Sequence, residues 1–193
     1  FRLYDPSLSK IAIVGGYKIE KLPNLKNVFE NTRYLSTNMV RSLFSASEFF
    51  DDKMNLIISY GDIVYDEAAL RSLVCSDASN DINLVSYQNW FDLWKLRMED
   101  PLDDVETFKV EEGIVKELGK KTNNVDEVQG QFTGLFMISK HKILEMISFY
   151  DKLDRSGCYD GQNFDNMYMT TFIQLLINQG WKVGCVPIMN GWV

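Results

Sequence analysis

The residue best suited to chemistry in this chain is Asp62, which follows the apolar run Leu56-Ile57-Ile58 after a short Ser59-Tyr60-Gly61 step. A carboxylate just beyond a buried strand stands where an open α/β sheet binds its ligands. The glycine before it lets a ligand approach the backbone, and carboxylate oxygen suits a hard cation such as Mg²⁺. On local pattern alone a loop aspartate that caps or turns fits as well, although Asp66 already supplies the cap of the following helix. His141 is the only histidine, and its place in the first turn of a polar-faced helix makes it a solvated surface group rather than a base. Ser-His-Asp and Cys-His schemes therefore have no histidine to pass through. Cys75, Cys158 and Cys185 are far apart and show no C-x-x-C spacing, so neither a disulfide framework nor a zinc site is indicated. Buried free thiols are expected.

Hydrophobic residues make up 46% of the 193 residues and charged ones 24%, the balance of an ordinary globular domain. A chain of this length is expected to form one domain, 1–193. No run approaches the roughly 18 apolar residues of a membrane span, and Phe1-Arg2-Leu3-Tyr4-Asp5-Pro6 lacks a signal-peptide pattern. A cytoplasmic protein with no membrane partner is expected. A net charge of −7 speaks against a nucleic-acid partner, because such binding leans on clustered Lys and Arg. A small anion held through a divalent cation is compatible with that charge.

The elements that must position Asp62 alternate between strand-length apolar runs and helical periodicity, the signature of an α/β domain with a largely parallel sheet. Ile11 to Val14, closed by Gly15-Gly16, reads as a buried strand ending in a tight turn. Ser36 or Thr37 can cap a helix whose Met39, Leu43, Ala46 and Phe50 share a face. A strand at Leu56 to Ile58 precedes a helix capped by Asp66, with Ala69, Leu70, Leu73 and Val74 as its apolar stripe. Asn83 to Val85 forms the next strand, followed by an aromatic-rich helix or turn from Trp90 to Met98 that ends before Pro101. Thr107 to Val110 and Ile114 to Leu118 flank Glu111-Glu112-Gly113, a hairpin that makes the sheet mixed. Thr133 to Ile138 is a strand, and Ile143, Leu144, Ile147 and Tyr150 line the helix after it. The longest helix is predicted from Asp165 to Gln179, with Tyr168, Phe172, Leu175, Leu176 and Gln179 inward and Gly180 as its stop. Val183 to Ile188 supplies the last strand. Gly15, Asp62 and Gly134, each placed at a strand end, are expected to line one cleft.

The segment Ile58-Ser59-Tyr60-Gly61-Asp62-Ile63-Val64-Tyr65 resembles the strand and metal-aspartate segment of small-substrate nucleotidyltransferases, the GT-A-like, phosphocholine cytidylyltransferase-like superfamily. Val14-Gly15-Gly16-Tyr17-Lys18, Tyr34 followed by Thr37-Asn38-Met39-Val40 and Ser42-Leu43, and Gly130-Gln131-Phe132-Thr133-Gly134-Leu135 resemble the same group in the same order. Trp94, Pro101-Leu102-Asp103-Asp104, Glu117-Leu118-Gly119-Lys120-Lys121 and Phe164-Asp165-Asn166-Met167-Tyr168-Met169-Thr170 are similar to the CTP:phosphoglutamine cytidylyltransferases of capsular phosphoramidate synthesis. The resemblance implies a three-layer α/β/α, Rossmann-like domain with a mixed, mostly parallel sheet. It also implies transfer of CMP from CTP to a small phosphorylated acceptor, phosphoglutamine-like or a phosphocholine or phosphonate, with pyrophosphate as the other product. The setting it implies is capsule or cell-surface polysaccharide modification, and a homodimer is left open. The family's glycine-rich nucleotide loop is expected before Ile11, where ten dissimilar residues stand, and Gly191-Trp192-Val193 resembles what precedes its closing Glu-x-Asp.

By the same resemblance Asp62 is the catalytic residue and Mg²⁺ ligand, and Gly15, Gly16, Tyr17, Asn38, Tyr60 and Gly61 lie on the nucleotide side. Trp90, Lys120, Gly134, Tyr159, Asp160, Asp165 and Asn166 are candidates for the acceptor. Aromatic faces at Trp90, Trp94, Tyr159 and Tyr168 can attract quaternary ammonium groups, with core packing as the other explanation for each. Asp160, Asp165 and Asn166 offer polar groups to an amine or amide, with helix capping by Asp165 as the other explanation. A sugar-nucleotide glycosyltransferase shares the fold but normally shows D-x-D, whereas Asp62 is followed by Ile63-Val64. A catalytically inactive domain that keeps the fold is the other alternative.

Overall fold

A computed structural model describes residues 10–22, 26–103 and 105–193. The first nine residues, where the nucleotide loop was sought, and Asp104 of the Pro101 motif lie outside the described residues. Along the chain come β1 (Ile13–Gly15), β2 (Val28–Glu30), α1 (Met39–Phe44), β3 (Leu56–Ser59), α2 (Glu67–Val74), β4 (Ile82–Tyr87) and α3 (Trp90–Lys95). They are followed by β5 (Glu106–Glu111), β6 (Ile114–Lys121), β7 (Gln131–Ile138), α4 (Ile143–Lys152), β8 (Cys158–Tyr159), β9 (Gln162–Asn163), α5 (Met169–Asn178) and β10 (Val183–Ile188). The chain divides into two compact units, one made of Lys152–Met169 with the described part of Phe1–Phe50, the other of Asp51–Asp151 with Thr170–Val193.

In the first unit β1 and β2 pair in parallel, Ile13 beside Val28 and Gly15 beside Glu30. The side chain of Asn38, not Ser36 or Thr37, caps α1 by accepting from the Met39 amide at 2.8 Å. Both predicted caps turn back instead, their hydroxyls donating to the Arg33 carbonyl. The helix stops at Phe44 because the Ser45 amide is shared among the Arg41, Ser42 and Leu43 carbonyls, a tightened end that releases Ser47–Phe49 into a separate 3₁₀ turn. Within the helix Val40 and Phe44 are buried; of the predicted face only Ala46, past the helix end, is buried, and Met39, Leu43 and Phe50 are half-buried.

The second unit is built on a six-stranded sheet in the order β3-β7-β4-β10-β6-β5. β3, β4, β5 and β10 run one way and β7 and β6 the other, so the sheet is mixed as expected but not mostly parallel: β7 runs between β3 and β4 and the β5–β6 hairpin follows β10, which leaves β4 and β10 as its one parallel neighbour pair. The Glu112-Gly113 turn joins β5 to β6 with both residues at positive φ, 50° and 78°, the two-residue hairpin geometry anticipated from Glu111-Glu112-Gly113. On one face Val85, Leu135, Met137, Val186 and Ile188 pack against Ala69 and Leu73 of α2. The alternate residues Ile82, Leu84, Phe136 and Ile138 are equally buried, so both faces are covered, as three layers require. α5 is fastened to β6 by the Leu118 amide, which donates to Gln174 at 2.9 Å, and packs on α4 through Phe172 against Phe149 and Tyr150.

Asp66 caps α2 as expected, its Oδ1 accepting from the Ala69 amide at 2.9 Å, and Gly180 closes α5 at φ 88°. Of the predicted α2 stripe Ala69, Leu70 and Leu73 are buried and Val74 is exposed, and two further stripes shift. In α4 the buried residues are Ile143, Met146 and Tyr150, and Leu144 is exposed. α5 begins at Met169, because Asn163 caps a 3₁₀ turn at Phe164–Asn166 and the extended backbone at Met167 breaks it from the helix; Tyr168 and Gln179 face outward while Phe172, Ile173 and Leu176 face the core. The cysteines are free as expected, but Cys75 and Cys158 are exposed and only Cys185 is partly buried, since the first two stand at the end of α2 and in the short β8. Among the described residues no helix is long and apolar enough to cross a membrane.

Candidate functional site

β3, β4 and β10 all end on one edge of the sheet, and Asp62 stands just past β3 on that edge. β7 runs against them, so this edge receives its beginning, Gln131 and Phe132, and the residues after Ile138 leave from the other edge. Gly134 therefore lies inside β7 rather than at a strand end. It sits at φ 78° in an irregularity where Leu84 pairs with Phe136 but Ser86 pairs with Phe132. Thr133, Gly134 and Leu135 thus face Val85 alone, a bulge whose Thr133 hydroxyl donates to the Val85 carbonyl at 2.9 Å.

Two segments hold the loop that carries Asp62. In front, the Tyr60 amide donates to the Gly134 carbonyl at 3.0 Å, and the Tyr60 ring lies over Gly134 so closely that a Cβ there would come within 2.6 Å of it. Phe132 meets the same ring edge-on at 6.0 Å. Behind, Val64 and Val193 exchange both backbone hydrogen bonds, at 2.8 and 2.9 Å, and the Asp66 amide donates to the Gly191 carbonyl at 2.8 Å. The Trp192 indole donates to the Thr133 carbonyl at 3.0 Å. Between these anchors Asp62 is exposed. Gly61 has nothing within 4 Å of where a Cβ would stand, and no positive φ demands a glycine there. Burial, with the Glu106 and then the Asp62 carboxylate nearby, pushes the Tyr60 phenol far above its ordinary range.

Several predicted residues have a structural role in the fold. Trp90 is buried, donates its indole N–H to the Val128 carbonyl at 3.1 Å and belongs to a core cluster with Trp94, Val105 and Val128; core packing is its role here. Lys120 is exposed and pairs with Glu117. In the first unit a Cβ on Gly16 would meet Cβ and Cγ of Tyr34 at 2.5 Å, so packing alone requires that glycine, whereas one on Gly15 would meet only the end of the Leu22 side chain at 2.8 Å. Tyr17 is exposed, 6.4 Å from the Tyr34 ring. Asp160-Gly161 is the two-residue turn joining β8 to β9, at φ 49° and 79°, and the Tyr159 hydroxyl donates to the Asp154 carbonyl at 2.8 Å.

Asp165 caps nothing; its carboxylate pairs with Arg33 at 2.6 Å and its carbonyl accepts from the Asn38 amide at 2.9 Å. Asn166 donates its side chain to Ser36 and Asn163. Arg33, Asn38, Asp165 and Asn166 thus form one polar cluster within the first unit. His141 is exposed, as expected. The sequence reasoning missed Trp192, Thr133 and Glu106; a glycine in a strand interior, Gly134, was the available signal for the bulge.

No family model matches the sequence. The chain is 40% identical over 200 aligned residues to the CTP:phosphoglutamine cytidylyltransferase of Campylobacter jejuni, an alignment that covers 98% of this chain and 78% of that protein. Among solved structures it is similar to the inositol-1-phosphate CTP transferase from T. maritima, with a TM-score of 0.61 at 18% identity over 86% of this chain and 58% of that one. That second likeness shows the fold, with the chain spanning less than two thirds of the solved protein. Identity of 40% across nearly the whole sequence places the chain in the family of the CTP:phosphoglutamine cytidylyltransferases.

Proposed function

We propose that the protein transfers CMP from CTP to a small phosphorylated acceptor of the phosphoglutamine type, with Mg²⁺ held by Asp62. The observation that carries this is the 40% identity with the Campylobacter jejuni cytidylyltransferase. An oxygen of the acceptor phosphate attacks the α-phosphorus of CTP, the bond from that phosphorus to the bridging oxygen breaks, and pyrophosphate leaves with the electron pair. The acceptor phosphate is already ionised at neutral pH, so no general base is needed, in keeping with a lone, exposed histidine. The CMP-linked product would serve as an activated donor in capsule or cell-surface polysaccharide modification.

The residues fit a magnesium ion that arrives with its nucleotide. Among the described residues no group of three or more His, Cys, Asp or Glu converges on a metal position, which argues against a cage made of protein alone. Mg²⁺ is usually held by one or two carboxylates together with waters and substrate phosphates, and Asp62 offers one such carboxylate at an open edge. Bound there, the cation would neutralise charge on the phosphate oxygens. Gly61 leaves the approach clear, and the Tyr60 amide on the Gly134 carbonyl holds the front of the loop. The Val64–Val193 pairing returns the chain beside the Asp62 loop.

Pyrophosphate release from CTP, Mg²⁺ and a panel of phosphoglutamine, phosphocholine and aminoalkyl phosphonate tests the proposal in the intact protein. Asp62→Asn keeps the shape and removes the charge, and losing a well-placed electrostatic group costs on the order of 10²–10³ in rate. Equal turnover by wild type and Asp62→Asn, at equal melting temperature, would remove Asp62 from the chemistry.

A further inference from the structure

We infer that Trp192 is the positioning residue for Asp62, acting through the bulge at Thr133–Gly134; the inference rests on Asp62 as the metal carboxylate. A metal ligand must be held within about 0.5 Å of its working geometry by the groups behind it. Asp62 receives no such support from its own side chain, being exposed and without a hydrogen-bond or ion-pair partner among the described residues, next to a glycine with open space where a Cβ would stand. Its position is set by the two ends of its loop, and both ends lead to the same two residues of β7. The Gly134 carbonyl takes the Tyr60 amide, and the Thr133 carbonyl takes the Trp192 indole at 3.0 Å.

The bulge lies where the two anchors meet. Three residues of β7 face Val85 alone, and within that stretch the Gly134 carbonyl continues the β3 ladder to the Tyr60 amide while the adjacent Thr133 carbonyl takes the Trp192 indole. Trp192 is the means by which the second end is held. Its backbone bridges to Tyr65, while its ring stacks on Trp94 at 6.3 Å and 20° and lies 5.5 Å from Tyr87. The exchanged hydrogen bonds of Val64 and Val193 and the Gly191 contact with Asp66 flank it on either side. Releasing the indole from Thr133 would free Gly191–Val193 and with it the back of the Asp62 loop, while the front stays seated on Gly134.

Trp192→Phe keeps an aromatic ring on Trp94 and deletes the bond to Thr133; Trp192→Ala removes both. Loss of an outer-shell partner typically weakens metal affinity on the order of tenfold or more. For Trp192→Phe the Mg²⁺ concentration giving half-maximal CMP transfer is expected to rise by about that factor, with excess Mg²⁺ restoring the rate, and Trp192→Ala is expected to go further. A second readout needs no turnover: the amides of Val64 and Asp66 should exchange faster with solvent in both variants, while those of β4 and β10 do not. Unchanged half-saturation in Trp192→Phe beside a metal-dependent wild type overturns the positioning role alone. A wild type without metal dependence overturns it together with the role of Asp62, and exchange that rises throughout the sheet assigns Trp192 to general stability and overturns it as well.

Discussion

Two glycines flank the chemistry and should respond oppositely to the same added methyl group. At Gly134 a Cβ would stand 2.6 Å from Cδ2 and 2.7 Å from Cγ of Tyr60, and the backbone is at φ 78°. A left-handed backbone costs a residue other than glycine roughly 1–2 kcal/mol, and forcing a side chain into occupied space costs about 1–3 kcal/mol more. Gly134→Ala should therefore lose about 2–5 kcal/mol, and at roughly 2–4 °C per kcal/mol for a protein of this size its melting temperature should fall by ~4–20 °C. At Gly61 there is neither a positive φ nor an atom within 4 Å, so Gly61→Ala should stay within about 0.5 kcal/mol of wild type. Its methyl would nonetheless stand beside Asp62, where a nucleotide phosphate must approach, and turnover should drop. Thermal melts and pyrophosphate release on the two variants read both effects. A Gly134→Ala protein that melts with wild type would refute the seating of Tyr60, and full activity in a stable Gly61→Ala protein would refute the open approach.

Trp90→Phe removes the indole N–H and leaves the buried Val128 carbonyl unpaired, at a cost of roughly 1–3 kcal/mol; the melting temperature should fall with the Michaelis constant for the acceptor unchanged, and the reverse pattern would return Trp90 to the acceptor pocket. The Glu117 carboxyl is held below its ordinary value by Lys120 first and then Lys109. A depressed folded pKa contributes stability that is complete above the unfolded value, about 4.3 for Glu, and is lost as pH falls from there through the folded value. The stability difference between wild type and Glu117→Gln, measured by urea unfolding, should therefore be constant from pH 7 to 5 and shrink below pH 4; a difference that widens on acidification would contradict the pairing.

The elements were legible wherever apolar periodicity was not in competition with anything else. β10 matches its predicted span, Asp66 caps α2, and the Glu112-Gly113 turn forces the hairpin by backbone sterics alone. Errors arose where short polar side chains chose among local partners. Ser36, Thr37 and Asn38 are all good caps by type, and only the folded loop decides that the first two bond Arg33 while Asn38 takes the helix. The start of α5 slipped for the same reason, since Asn163 caps a 3₁₀ turn that periodicity reads as helix. The direction of β7 was illegible because a buried strand has the same composition whichever way it runs, and with it went the position of Gly134.

The candidate site was harder to see because the side chains that bind ligands also build turns and ion pairs. Asp160 turns a hairpin, Asp165 pairs with Arg33, Asn38 caps a helix, and Lys120 pairs with Glu117; each is consistent with a binding role by type and has a structural one by geometry. Asp62 differs in that its geometry gives it no such task. It starts no helix, sits at no positive φ, and among the described residues its carboxylate has neither a hydrogen-bond nor an ion-pair partner. Yet the backbone on either side is fixed by Gly134, Val193 and Gly191. Ordering an exposed loop costs conformational entropy of roughly 1–2 kcal/mol per residue, and here the Gly134 carbonyl and the returning chain hold a loop whose carboxylate forms no hydrogen bond or ion pair among the described residues. A rigidly held, unpartnered carboxylate at the strand-end edge of a sheet is the arrangement expected of a cation ligand rather than of a surface loop.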